Sequence, residues 1–169
     1  MCWTGYFGDK KIATADKKVF KVVKAYIDVE GNVANLSSYY KKCFKWELGE
    51  RTTTTVRPHA HFAWDRTKLN WSRDTPIEIE YGIHSYDSQM TYIHRTPDNC
   101  IVVKTKNIFA ENSEDVDYYP IVPSSLGYRV AKMECIIPKG TTYYENSNGE
   151  IVSEVLIPKR YEIYIKRMI

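Results

Sequence analysis

The chain has 169 residues, of which 43% are hydrophobic and 27% are charged, and its formal net charge is +3. This length suits one core, so we expect residues 1–169 to form a single globular domain. No segment reaches the roughly 20 apolar residues of a membrane span, and the charge is too small to indicate a nucleic-acid binder. Because Met1–Gly5 shows no secretory pattern, the expected location is the cytoplasm.

The first third of the chain reads as strands and turns. β-Branched residues predict a strand at Val19–Val23, followed by a turn at Glu30–Asn32. The aromatic segment Ser38–Leu48, Gly49 and the β-branched segment Thr52–Val56 together predict a hairpin. The lysines of this region are expected on solvated faces. They include Lys10, Lys11, Lys17, Lys18, Lys21 and Lys24.

The middle of the chain is predicted to contain a long connecting loop, a strand and one short helix. The segment His59–Trp71 has poor periodicity and predicts the loop. Apolar and charged residues alternate in Ile77–Tyr81, which indicates a half-buried strand. Asp87 is a good N-cap for a short helix over residues 88–95. The segment Asn107–Ser125 predicts a polar, acidic loop.

The clearest pattern lies in Val130–Ile157. Three apolar or aromatic runs are separated by turns at Pro138–Gly140 and Asn146–Gly149, and Pro158 is expected to end the last strand. This arrangement predicts a β-meander. The predicted fold class is therefore α+β, mainly antiparallel sheet with one short helix and a long connecting loop.

The histidines and cysteines do not predict a metal or a cofactor. His59 and His61 would share one face of a strand, but zinc needs three or four ligands. His94-Arg95-Thr96 matches one His-x-Thr motif of two-histidine phosphodiesterases, while nearby His84 lacks the matching hydroxyl. A histidine-based hydrolase, phosphodiesterase or metalloenzyme therefore stays an alternative. The cysteines are widely spaced and are expected to be isolated, buried thiols. They are Cys2, Cys43, Cys100 and Cys135.

Aromatic residues beside lysines favour binding over catalysis. The chain has 14 Tyr and 4 Trp, and rings can stack on planar ligands while ammonium groups contact phosphates. We expect capture of a small phosphorylated, nucleotide-like ligand or of a partner protein, with homo-oligomer formation as a further expectation. A structural protein that docks through an edge strand, without a small ligand, is the other alternative. The candidate ligand-binding residues are Lys41, Lys42, Lys45, Trp46, His84, Tyr86 and Arg95.

Four segments in this order resemble a group of small uncharacterised proteins from gut bacteria and their phages. They are Lys18–Val22, Trp46–Glu50, Gly82–Tyr86 and Cys135–Gly140. The group has no established activity, so the resemblance implies no catalytic residue. It implies a setting in which small β-rich phage proteins that block host defence are common, and hence a host protein as a second expected partner.

Overall fold

A computed structural model describes residues 5–38, 44–59, 63–65, 69–72, 77–87, 102–106, 109, 116–122, 124–147 and 149–164. In these ranges the chain forms strands and a single 3-10 turn at Ser124–Leu126. The strands are β1 (Gly5–Phe7), β2 (Lys11–Ile12), β3 (Lys17–Ile27), β4 (Val33–Ser38), β5 (Lys45–Trp46), β6 (Thr52–Thr53), β7 (Arg57–His59), β8 (Ala63–Asp65), β9 (Asn70–Ser72), β10 (Ile77–Tyr81), β11 (Ile83–Tyr86), β12 (Val102–Lys106), β13 (Val116–Pro120), β14 (Tyr128–Ile137), β15 (Thr142–Glu145), β16 (Glu150–Ser153) and β17 (Val155–Ile163).

Strands β3 and β14 form the centre of the main sheet. They pair antiparallel along almost their whole length, from Lys17 opposite Ile137 to Tyr26 opposite Tyr128. Both are rich in β-branched and aromatic residues, which suit a pleated, buried surface. The strand order is β2-β15-β16-β11-β3-β14-β17-β6, and β4 pairs with β3 and carries β5. The predicted antiparallel sheet is therefore confirmed.

The central strands bury side chains on both faces of the sheet. Because side chains alternate along a strand, the odd-numbered residues of β3 share one face, here named the odd face, and the even-numbered residues share the even face. The odd face carries the largest core, which includes Val19, Val23, Met133 and Cys135. The even face packs against residues of β13 and the segment after it. This second core consists of Val22, Tyr119, Val122, Tyr128, Val130 and Tyr164.

A second, smaller sheet has three strands. Its order is β1-β10-β7, and all its pairs are antiparallel. Ile77 and Ile79 of β10 are buried with Phe7 and Val152, as expected for a strand with one apolar face. The predicted strand at Ile77–Tyr81 is therefore confirmed, as is the predicted strand at Val19–Val23 inside β3.

The predicted hairpin between Ser38–Leu48 and Thr52–Val56 is wrong. Strand β5 pairs with β4, whereas β6 pairs with β17. Gly49, with φ +81°, does make a turn, but its N–H donates to the carbonyl of Pro158. The turn therefore directs the chain towards β17 instead of back along β5.

The predicted meander forms only in its second half. Strands β15 and β16 pair as a hairpin, but β14 lies between β3 and β17. The turn at Gly140, with φ +87°, docks on the N-terminal segment, because the Gly140 N–H donates to the carbonyl of Ala13. Pro158 does not end β17. It lies where the register with β14 shifts between Glu134 and Cys135, and a bulge tolerates a residue without an N–H.

The two predicted loops contain strands. The segment His59–Trp71 includes β8 and most of β9, which pair with each other around Leu69 at φ +54°. The acidic segment Asn107–Ser125 includes β13, which pairs with β12. Strands of three residues are too short to show periodicity, so the sequence did not predict the pairing of β8 with β9. The predicted helix over residues 88–95 lies outside the described residues. Within the described part of the chain, no helix is long and apolar enough to cross a membrane.

Candidate binding site at Lys21

A lysine lies in the main core of the protein. Lys21 is in the middle of β3, between Val19 and Val23 on the odd face, and Met133 of β14 is directly opposite. The residue is only 8% exposed. The expectation of a solvated lysine is therefore wrong at this position, because strand alternation directs the side chain into the apolar face.

The Lys21 ammonium has few polar contacts. Its Nζ donates one hydrogen bond of 2.6 Å to the backbone carbonyl of His84 and lies 5.7 Å from the centroid of the Trp46 ring. An ammonium has three N–H donors, so two of them find no acceptor in the part of the chain that the structure describes. No carboxylate there lies within ion-pair distance of Lys21.

Burial changes the acidity of the groups in this core. Desolvation lowers the pKa of Lys21 to about 8, and the charge interaction with Cys135 acts in the opposite direction. Desolvation raises the pKa of the Cys135 thiol to about 12. At neutral pH the lysine thus carries a positive charge that the surrounding apolar side chains do not stabilise, beside a neutral thiol.

Ser85 supplies a further unused donor on β11, the strand whose His84 carbonyl accepts from Lys21. Tyr86 of β11 pairs with Phe20 of β3. Ser85 precedes Tyr86 on β11 and follows His84. Because side chains alternate along β11, that of Ser85 lies on the odd face with that of Ile83. Ser85 is fully buried, and its Oγ has no hydrogen-bond partner among the described atoms. Such a hydroxyl ordinarily costs free energy unless something completes its hydrogen bond.

Trp46 forms the aromatic wall of the site. Its indole Nε1 donates to Ser38 Oγ at 2.9 Å, and Phe44 makes an edge contact with the ring at 4.6 Å between centroids. The side chain is 3% exposed. Its ring is therefore fixed in place and contributes a π-face towards Lys21.

The structure brings two of the predicted site residues together at Lys21. Trp46 contacts the ammonium through its ring, and His84 contacts it through its backbone carbonyl. Tyr86 is buried and packs against the His84 ring at 4.7 Å between centroids. Lys45 is exposed, since alternation turns it away from the face that holds Trp46. Lys41, Lys42 and Arg95 lie outside the described residues.

Lys21 and Ser85 were not among the predicted site residues. A signal for Lys21 was nevertheless present, because a lysine between two valines at strand spacing interrupts an apolar face. Ser85 gave no comparable signal, since a lone serine in a short strand is common. Its importance depends on the pairing of β11 with β3, which the sequence alone does not reveal.

The structure bears only in part on the alternative of a histidine-based hydrolase, phosphodiesterase or metalloenzyme. The described residues do not include the side chains of His59, His61 or His94. Among the side chains that are described, no group of three or more His, Cys, Asp or Glu could hold a metal ion. Cys135 is free and buried, as expected for an isolated thiol.

Comparison with known proteins adds no functional assignment. The chain matches no protein-family model, no curated protein and no solved structure. The functional interpretation therefore depends on the geometry around Lys21.

Proposed function

We propose that the protein is a small binding protein that captures a phosphorylated ligand through Lys21 and Ser85. The observation that supports this function is the buried Lys21 ammonium without a carboxylate partner in the described structure. A phosphate oxygen would supply the missing negative charge and accept hydrogen bonds from the ammonium and the Ser85 hydroxyl. Hydrogen bonds between charged groups are about twice as strong as neutral ones, most of all where water is scarce.

The burial of Trp46 indicates which part of a ligand the site would recognise. One side of the ring contacts Phe44 and another contacts the Lys21 ammonium. A nucleobase would have to displace these contacts before it could stack on the indole. We therefore assign the recognition to the phosphate end of a nucleotide-like ligand, and expect simple phosphate esters to bind as well.

A thermal-shift screen tests this function. The ligands are inorganic phosphate, a sugar phosphate, and mono-, di- and cyclic nucleotides, at moderate salt. A ligand at about 100 times its dissociation constant should raise the free energy of unfolding by roughly 2.7 kcal/mol. Lys21→Met should abolish the shift, because it removes the charge and keeps the side-chain volume similar. The matched control is Lys45→Met, which removes an exposed lysine of β5 and should leave the shift unchanged.

Mass spectrometry of the released ligand separates binding from catalysis. A binding protein returns the ligand intact, whereas a histidine-based hydrolase or phosphodiesterase returns product. If no phosphorylated compound stabilises the protein, the ligand hypothesis is wrong and binding of a partner protein becomes the leading interpretation. The resemblance to phage proteins would then make a host defence protein the first partner to test.

A further inference from the structure

We infer that Lys21 is also a reactive amine, which captures a small aldehyde or ketone as a Schiff base. The inference uses the site of the proposed function, but it does not require that site to bind an anion. Three features of the structure carry it: the amine is buried among apolar side chains, its hydrogen-bond acceptor is a neutral carbonyl, and the residue after that acceptor, Ser85, has a buried hydroxyl without a partner among the described atoms.

The surroundings of Lys21 favour loss of its proton. Val19, Val23 and Met133 offer no charge that would hold an ammonium, and the burial that they provide lowers the lysine pKa to about 8. Roughly one tenth of the amine is then neutral at pH 7, against less than about one thousandth for an ordinary lysine. Lys11 shows the opposite case, because its hydrogen bond to Glu145 raises its pKa. An amine is nucleophilic only in its neutral form, so Lys21 has the larger reactive fraction.

The reaction needs no oxidant or cofactor. The Lys21 Nζ lone pair attacks the carbonyl carbon, the C=O electron pair moves to oxygen, and a proton transfers from nitrogen to that oxygen to give a carbinolamine. Loss of the hydroxyl group and of the remaining N–H proton as water then forms the C=N bond. Ser85 Oγ–H, which has no partner among the described atoms and follows the residue that accepts from Lys21, would donate to the carbonyl oxygen during the attack.

Reductive labelling of the folded, full-length protein tests the inference. The probe is propanal with cyanoborohydride, which reduces an imine to a stable secondary amine, and peptide mass spectrometry locates each label. At neutral pH we expect Lys21 to be labelled at least about tenfold faster than exposed Lys45 and Lys139, because its neutral fraction is more than about a hundredfold larger, while burial slows access of the probe. In denaturant the three lysines should react at similar rates.

The pH profile gives a readout that a merely structural lysine would not show. The labelling rate at Lys21 should level off above about pH 8, while the rate at Lys45 continues to rise. Cys135, the titratable neighbour of Lys21 on the odd face, keeps its proton in this range because its pKa is about 12. Ser85→Ala should slow labelling at Lys21 severalfold without affecting Lys45.

Two outcomes separate this inference from the proposed function. If Lys21 in the folded protein reacts no faster than Lys45, the reactive-amine inference is wrong, whatever the phosphate screen shows. If labelling at Lys21 is fast but no phosphorylated ligand stabilises the fold, the proposed function fails and the amine chemistry stands. Lys21→Met should remove the fast labelling and leave the labelling of Lys45 and Lys139 unchanged, which checks the site assignment.

Discussion

The two central strands each bury a lysine, but the two side chains lie on opposite faces of the sheet and contact different groups. Lys21 is on the odd face of β3, whereas Lys132 of β14 is opposite Val22 and so lies on the even face. Lys132 donates to both carboxylate oxygens of Asp117 at 3.2 Å, and its side chain and that of Asp117 are fully buried. Tyr164 donates to the same carboxylate at 2.8 Å.

This difference separates a structural lysine from a candidate binding lysine. The Lys132 ammonium has an ion-pair partner and lies over the Phe20 ring at 4.8 Å. Because Asp117 belongs to β13, the ion pair attaches the β12–β13 hairpin to the even face of the main sheet. Lys21 attaches nothing of this kind, since its acceptor is a backbone carbonyl of the neighbouring strand. The same fold thus pairs one buried lysine with a carboxylate and leaves the other without a counter-charge among the described residues.

The largest effect is expected from breaking the internal ion pair. Asp117→Ala should lower the free energy of unfolding by about 3–5 kcal/mol, because Lys132 is left buried without its counter-charge. Urea unfolding would measure the loss. The double variant Asp117→Leu with Lys132→Met should recover most of it, since a buried pair can be replaced by apolar side chains. A single variant that loses less than about 1 kcal/mol would show that the pair does not anchor the hairpin.

The pH dependence of stability gives a second test of the contrast between Lys21 and Lys132. Burial lowers the pKa of Lys21 from 10.5 to about 8. Between these pH values the unfolded chain holds a proton that the folded chain has released, so the free energy of unfolding rises with pH, in total on the order of 3 kcal/mol. Cys135 acts in the opposite direction. Burial raises its pKa from 9.0 to about 12, so its contribution falls over that range.

Comparing the parent with Lys21→Met separates the contribution of Lys21 to the pH dependence of stability from that of Cys135. Urea unfolding from about pH 7 to about pH 10 should show the parent gaining stability relative to this variant, with most of the gain above about pH 8. Parallel curves for the two proteins would mean that Lys21 titrates as an ordinary lysine, and the contrast with Lys132 would lose its electrostatic basis.

The same substitution at the two lysines should change stability in opposite directions. At neutral pH, Lys21→Met removes an uncompensated buried charge and loses one hydrogen bond and a cation–π contact, for an expected net gain of about 2 kcal/mol. Lys132→Met leaves Asp117 buried and charged, and should lose about 3 kcal/mol or more. Thermal unfolding of both variants beside the parent is sufficient. A loss at both positions would indicate that Lys21 is as structural as Lys132.

The sequence predicted local structure better than it predicted contacts between distant segments. The strand at Val19–Val23 and the positive φ of Gly140 and Gly149 depend on neighbouring residues, and such features are visible in the pattern. The pairing of β6 with β17 and of β14 with β3 joins segments far apart in the chain. Nothing in local propensity specifies which of several apolar strands will be neighbours.

The candidate site was partly predictable for the same reason. Trp46 and His84 were identified from their residue type. They lie beside Lys21 because β11 pairs with β3, while β5 pairs with β4 and β4 pairs with β3. The alternation of Val19, Lys21 and Val23 already indicated that the lysine shares a face with apolar residues. Whether an acid lies opposite such a lysine is decided by tertiary pairing, and this is the fact that distinguishes Lys21 from Lys132.

The smallest expected effect concerns two buried serines that repeat the contrast between the lysines. Ser85 Oγ has no partner among the described atoms, whereas Ser153 Oγ donates to the carbonyl of Val155 at 3.0 Å, and both residues are fully buried. Ser85→Ala removes an unsatisfied hydroxyl and should raise the free energy of unfolding by up to about 1 kcal/mol, while Ser153→Ala should lower it by about 1 kcal/mol through the lost hydrogen bond. Thermal unfolding of both variants beside the parent would measure these changes.

A bound phosphorylated ligand should reverse the sign of the change in unfolding free energy for Ser85→Ala alone, because the Ser85 hydroxyl then has an acceptor. The same unfolding experiment with ligand present tests this. If Ser85→Ala destabilises the ligand-free protein as much as Ser153→Ala does, Ser85 is already satisfied and is not available to a ligand.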